Sequence, residues 1–241
     1  KADLWDSKKV ASDQSIQVAY LGKPLESRQK CYWTVKIWDK DGKEVKAASP
    51  AWFEMGLLKA DDWQADWIRS VQDFKEYSYP SHLLRKEFPL AKKVQSARLY
   101  VTSLGLYEFS LNGHRVGDEF FTPGWTSFQN RLQYQVFDVT GMLTSGNNAA
   151  GIMLGNGWYR AFRPNSNRNA DINALEVMAQ LEIEFADGSR QVVKTDNSWK
   201  ASTGAIVKSE IYDGEIYDAR LEKTGWDKPG YTGAGWTPAS V

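Results

Sequence analysis

The sequence predicts an all-β protein built as two successive β-sandwich units. Three observations carry that prediction. Apolar residues alternate with polar ones at period two through most of the chain, as a half-buried strand requires. Short alternating runs are separated by Gly-containing turns at sandwich-like spacing. Helical periodicity is nearly absent.

In chain order, "CYWTVKIWD" (31–39) is the first clear strand. It places Tyr32, Thr34, Lys36 and Trp38 on one face and Trp33, Val35 and Ile37 on the other. The turn "DKDG" follows, with Gly42 suited to a positive φ. "AWFEMGLL" closes the first unit, and the polar "KADDWQ" opens something new, so the boundary is expected within 56–66. The units are therefore taken as 1–58 and 66–241. With three or four strands, the first is small for an independent sandwich and is expected to be partial, leaning on the second. "LLKADDWQADW" holds a short helical turn capped by Asp61.

The second unit has length for a jelly-roll-like sandwich of eight or more strands. "SARLYVTSLGLYEFSLNGHRVGDEF" reads as two or three strands joined at Asn112-Gly113, a strong hairpin signal that needs no ligand role. "RLQYQVFDVT" alternates Leu132, Tyr134 and Val136, and one helical turn is expected around 141–143. "LEIEFADGSRQVVKT" is a second hairpin, with Leu181, Ile183 and Phe185 facing in and Asp187-Gly188 turning. The polar, irregular "RAFRPNSNRNADIN" (160–173) is a candidate functional loop.

Composition removes several function classes. Lys+Arg of 30 balance Asp+Glu of 30 in 241 residues, without the basic excess of a nucleic-acid-binding surface. No apolar run is long enough for a membrane-spanning helix. The first residue is Lys rather than Met, which points to a processed or excised piece. One cysteine, Cys31, excludes an internal disulfide and a thiolate metal cluster, and its alternating run makes it a buried strand thiol. His82 and His114 lack zinc-ligand spacing, and His114 belongs at a turn. The chain carries 11 Trp, 11 Tyr and 10 Phe, a supply of rings that can stack on the apolar faces of sugars as well as fill a core.

Three runs carry candidate chemistry. In "IYDGEIYDAR" (211–220), Asp213 and Glu215 at strand spacing stand about 6.6 Å apart along a strand. That separation suits an inverting glycosidase pair, but both groups approach from one side, whereas acid and base must flank a sugar ring. The remaining readings are a calcium or sugar site using Asp213, Glu215 and Asp218, with Asn130 or Asn156 from other loops, or a strand edge in which Arg220 pairs with Asp218 or Glu215. In "LGNGWYR", Gly155 and Gly157 turn the chain so that Asn156, Trp158 and Tyr159 emerge at a strand end, there to stack on a sugar or to fill a core corner. In "TPGWTSFQNRLQY", Trp125, Asn130 and Arg131 combine a ring with planar donors and acceptors, the usual grip on vicinal hydroxyls; the competing roles are a turn cap for Asn130 and a salt bridge for Arg131.

The chain resembles the N-terminal part of bacterial α-L-rhamnosidases of glycoside hydrolase family 78. The resemblance rests on "YWTVKIWDKDG", "FEMGLL", "DWQADWI", "LYVTSLGLYEFSLNGHRVGDEFFTPGWTSF", "YQVFDVT", "LGNGWYR" and "YDGEIYDAR" in collinear order. It implies a fibronectin-III-like domain over 1–58 and a jelly-roll over 66–241, followed in the family by further β-domains and an (α/α)6 catalytic barrel. No catalytic residue carries over, because the barrel holds the acid and base and this chain stops at "WTPASV". The resemblance further implies a scaffolding role toward those absent domains, binding of rhamnosyl glycans with calcium in some relatives, and a periplasmic or extracellular location.

Overall fold

The computed structural model describes residues 2–71, 79–161 and 174–241. Contacts divide the chain into two units, Lys1–Trp63 and Gln64–Val241. The architecture is all-β, with short 3-10 turns in place of helices among the described residues. No helix is long and apolar enough to cross a membrane.

In the first unit the alternating run becomes β1 (Lys30–Trp33) and β2 (Lys36–Trp38), and the return leg becomes β3 (Glu44–Lys46) and β4 (Ala51–Glu54). Strand β2 pairs antiparallel with β3, and β1 with β4, so the four segments form one bent hairpin. Gly42 takes φ 78°, and Asp39 Oδ1 accepts from the N–H groups of Asp41 (3.0 Å) and Lys43 (2.8 Å). The side chain thus holds the turn that alternation alone would leave undefined. The expected helical turn is a 3-10 turn at Ala60–Asp62. Its cap is Asp62 rather than Asp61: the Asp62 carboxylate accepts from Ser27 Oγ and from Lys59 N–H at 2.9 Å. Those bonds hold the Asp62 pKa down at about 2.

The second unit is a sandwich of two antiparallel sheets. One contains β5 (His82–Leu90), β7 (Leu106–Leu111), β8 (His114–Arg115), β10 (Gly146–Gly155), β13 (Lys200–Thr203) and β16 (Thr237–Pro238), in the order β16-β13-β5-β10-β7-β8. The other contains β6 (Val94–Leu104), β9 (Gln135–Asp138), β11 (Glu176–Phe185) and β12 (Arg190–Lys194), in the order β12-β11-β6-β9. Leu84, Phe109, Ile152 and Leu154 from the first sheet meet Leu99, Val101, Leu181 and Ile183 from the second in one core. Period-two alternation places these residues on the inner faces.

Sequence signals map closely onto these elements. Asn112 (φ 54°) and Gly113 (φ 81°) form the turn between β7 and β8, and His114 is exposed beside it. The "LEIEFADGSRQVVKT" run is the β11–β12 hairpin, with Leu181, Ile183 and Phe185 buried. "SARLYVTSLGLYEF" supplies strands of opposite sheets. Gly105 makes the crossing at φ 129°, where a Cβ would lie 2.6 Å from the Gly155 carbonyl oxygen. The "RLQY" alternation does not form strand; β9 begins at Gln135. The turn expected around 141–143 is a 3-10 turn at Thr140–Met142.

The outer face of the six-stranded sheet is covered by the segment from Glu222 to Trp236. Arg85 donates from Nε to the Trp226 carbonyl (2.7 Å) and from a terminal nitrogen to the Lys228 carbonyl (3.2 Å). Glu87 accepts from Arg85 and from the Gly230 N–H. Gly151, between Arg85 and Ser110 in register, leaves the space that Trp226 fills.

Candidate functional site

The structure gathers the aromatic candidates and disperses the acidic ones. Beyond β10, the chain turns at Gly157 (φ 53°), where a Cβ would collide with the Leu106 side chain. Trp158 therefore leaves the sandwich at a strand end. Its indole stacks on Trp125 with ring centroids 5.6 Å apart and planes 10° from parallel. Phe121 packs against Trp158 at 5.7 Å in a tilted arrangement. Trp125 is 59% exposed and Phe121 61% exposed, and the neighbouring Phe120 is 72% exposed. Phe121, Trp125 and Trp158 form an aromatic ledge, while the Phe120 ring lies under the Arg115 guanidinium at 4.6 Å. One ring face of Trp158 is covered by Trp125.

Backbone conformation supports the ledge. Phe121 holds φ 59°, a left-handed conformation that costs a bulky residue on the order of 1–2 kcal/mol. Phe121 was not singled out from sequence, because positive φ at a bulky side chain leaves no residue-type signature.

The other loop candidates have structural partners. Asn130 Nδ2 donates to Ser127 Oγ (2.9 Å), and its N–H donates to the Ser127 carbonyl (2.8 Å). That is the turn-cap role. The Arg131 N–H joins the same turn, while its guanidinium makes no ion pair among the described residues. Tyr159 packs edge-on to Phe128 at 5.1 Å and against the core. Burial, with Glu176 nearby, pushes its phenol pKa up.

Asn156 is different again. It is 1% exposed, and among the described residues neither its amide oxygen nor its amide nitrogen has a hydrogen-bond partner. Asn148, buried at the opposite end of β10, donates to the carbonyls of Thr144 (2.7 Å) and Gly146 (3.1 Å) and accepts from Asn112 (2.8 Å). The contrast marks Asn156 as a residue whose polarity the fold does not use. Ser81 Oγ and Arg160 Nε are likewise buried without a hydrogen bond among the described residues. His82, which pairs in register with Leu154 and Thr203, lies close enough to Arg160 to feel its charge. Burial first, and Arg160 second, lower its pKa to about 4, so it is neutral at pH 7. Residues 162–173 of the candidate loop lie outside the described residues.

The acidic run forms a ribbon of β14 (Ile206–Glu210) and β15 (Gly214–Tyr217). Asp213 lies in its turn, not on a strand with Glu215, which removes the same-face geometry expected from spacing. Asp213 faces Lys208 at 3.4 Å. Asp218 is held by Arg220 through paired bonds of 2.8 and 2.6 Å and caps the 3-10 turn Ala219–Leu221. Arg220 pairing is thus the reading that the geometry realises. Among the described residues, Asp213, Glu215 and Asp218 are not part of any group of three or more His, Cys, Asp or Glu side chains placed to hold a metal ion. The organising carboxylate is Glu210, 4% exposed, which accepts from the N–H groups of Tyr212 (2.7 Å) and Asp213 (2.9 Å). Its signal was an acid ending the alternating run "IVKSE".

A family model described as the α-L-rhamnosidase N-terminal domain matches residues 92–241. This chain belongs to that family. A second model, described as the Rha78A-like N-terminal immunoglobulin domain, matches residues 1–59. Among curated proteins, an α-L-rhamnosidase of Formosa agariphila is 38% identical over 224 residues, covering 88% of this chain and 24% of the relative. An Alteromonas α-L-rhamnosidase is 36% identical with the same coverage. The solved Aspergillus terreus α-L-rhamnosidase superposes with a TM-score of 0.86 at 39% identity, over 95% of this chain and 27% of that one. A Streptomyces avermitilis α-L-rhamnosidase, solved in complex with L-rhamnose, gives 0.89 at 25% identity, over 99% and 39%. The chain spans about a quarter of the length of the curated Formosa and Alteromonas relatives.

Proposed function

We propose that this chain is the non-catalytic N-terminal portion of an enzyme that hydrolyses terminal α-L-rhamnosyl residues, and that it scaffolds the catalytic barrel of the parent polypeptide. The observation that carries the scaffolding role is the ring cluster of Phe121, Trp125 and Trp158, in which Phe121 and Trp125 are exposed. Exposed apolar clusters of this kind mark interaction surfaces. The parent polypeptide, by the coverage of its relatives, has most of its length available to cover it. Residues for hydrolysis are expected in that remainder, since the carboxylates of the 213–218 run are committed to Lys208 and Arg220 or project singly.

The test combines the parent enzyme with the present chain. Phe121→Ala with Trp125→Ala in the parent is expected to lower its thermal midpoint and its turnover of an aryl α-L-rhamnoside. The present chain alone is expected to give no turnover above blank. Unchanged stability of the doubly substituted parent, or turnover by the isolated chain, would refute the proposal.

A second reading rests on the solvent exposure of Trp125, an indole of the right kind to stack on a deoxysugar. Calorimetric titration of L-rhamnose into the chain, with calcium and with EDTA, decides it. Heat abolished by Trp125→Ala supports the platform, and heat lost on chelation brings calcium back into the account. No heat in either buffer leaves scaffolding alone.

A further inference from the structure

One side of the β1–β4 ladder joins two exposed rings to a positive charge. Tyr32 and Trp52 are register partners, as are Lys30 and Glu54, so strand alternation sets all four on one side. Cys31, between Lys30 and Tyr32 in the chain, belongs to the other side and is buried. Tyr32 is 65% exposed and Trp52 54%. The Lys30 ammonium stands 4.2 Å from the Trp52 ring centroid and 5.5 Å from that of Tyr32, within cation–π reach of both. Rings and charge are therefore one patch.

The charge of Lys30 is treated differently from that of its neighbours. Lys36 and Lys46 both reach Glu44, at 3.8 and 3.3 Å. Lys30 makes no ion pair among the described residues, Glu54 across the ladder included, and its ammonium rests on the rings instead. This combination restricts what fits. A cationic ligand is repelled by the resident ammonium. An apolar protein surface would bury that ammonium without a counter-charge, at the cost of its desolvation. A nucleic-acid strand is held by several phosphate contacts, whereas this patch offers one ammonium on a chain of net charge +0. A sugar that bears an anionic group uses both parts: its apolar face lies on a ring while the anion meets the ammonium.

We propose that Lys30, Tyr32 and Trp52 form a binding patch for acidic carbohydrate, sugars that carry a carboxylate or a sulfate ester. Charge complementarity selects this occupant: the ammonium supplies the one positive charge that the surrounding carboxylates leave unmatched, and the two rings supply the stacking surface beside it. The patch belongs to the first unit and shares no residue with the Phe121, Trp125 and Trp158 cluster of the second. It does not depend on the scaffolding role or on rhamnosyl hydrolysis, and separate substitutions read each.

The test is affinity electrophoresis of the chain at low salt through gels that contain polygalacturonate, dextran sulfate, uncharged dextran or oligothymidylate. Retardation is expected with at least one of the two acidic polysaccharides, and which one names the anion; uncharged dextran should give none. Lys30→Gln should weaken the retarding interaction about fivefold, the loss of one exposed charge pair, and Lys30→Arg should retain it. Trp52→Ala should weaken it about two- to tenfold. Lys46→Gln makes the same change of charge on the same hairpin, at a lysine already paired with Glu44, and should leave binding within about twofold. Lys30→Gln keeps both rings and alters an exposed end group, so it reads the ammonium even if Trp52→Ala disturbs the hairpin. The proposal is overturned if neither acidic polysaccharide retards the chain, if uncharged dextran does so equally, if Lys30→Gln and Lys46→Gln lose the same amount, or if oligothymidylate binds as tightly, which would make a nucleic-acid strand the occupant.

Discussion

Replacing His82 offers a direct measure of how the β5 end of the sandwich treats a buried ionisable group. The His82 side chain is 4% exposed, and its pKa is lowered to about 4 by burial first and by the Arg160 charge second. In the unfolded chain it titrates near its ordinary value of about 6.5. The unfolded state therefore binds a proton between these values while the folded state does not, so stability falls as pH falls. The full contribution is present above about pH 6.5, is lost progressively below it, and the loss levels off near pH 4. The linkage relation gives a loss of about 2 kcal/mol between pH 8 and pH 5, rising to about 3 kcal/mol at pH 4. Urea unfolding of the second unit from pH 8 to pH 5, followed by fluorescence, reads this directly. Trp199 is a suitable reporter, being 2% exposed with its indole N–H bonded to the Lys194 carbonyl. His82→Gln keeps a neutral polar group of similar reach and should abolish most of the pH slope, whatever it does to absolute stability. A wild-type protein flat across that range, or a slope that survives in His82→Gln, would refute the reasoning.

Three further substitutions test separate parts of the argument. Gly151→Ala would place its Cβ 2.6 Å from Ser110 Oγ, 2.7 Å from Asp227 Cβ and 2.9 Å from the Trp226 ring, and should cost about 1–3 kcal/mol in chemical denaturation. An unchanged midpoint would mean that the 222–236 segment is not seated on the sheet. Asn156→Leu removes two buried polar atoms without partners among the described residues, and should raise unfolding free energy by about 1 kcal/mol. A fall instead would show that the amide is engaged by water or ligand. Asp218→Asn in the exposed Arg220 pair should leave the thermal midpoint unmoved, since solvent screens such a bridge; a clear drop would mean that the ribbon depends on it.

Much of the fold was legible because alternation dictates which side of a strand is buried, and burial decides register. The β11–β12 hairpin, the Asn112-Gly113 turn and the sandwich class all follow from that logic. What escaped it depended on relations between distant residues. Nothing local distinguishes a strand that continues its sheet from one that crosses to the other. The crossing at Gly105 appears only when the approach of Gly155 is known. The same holds for the site. Trp125 and Trp158 were chosen separately, from two loops 33 positions apart, and their stacking is a property of how β10 ends. Asp213 and Glu215 were paired from strand spacing, yet spacing becomes distance only if both residues lie on strand, and Asp213 lies in the turn.

The acidic ribbon and the aromatic ledge show opposite outcomes of one physical rule. A charged side chain at a surface finds a partner cheaply, so Asp218 takes Arg220 and Asp213 takes Lys208, and the run that looked most chemical becomes a self-neutralised hairpin. An exposed indole or phenyl ring has no such local remedy, because only another apolar surface removes it from water. A cluster of exposed rings therefore marks a surface suited to burial against another apolar body. By that argument the exposed Phe121 and Trp125 of the second unit bear on the proposed scaffolding role more directly than the paired carboxylates of the 213–218 run.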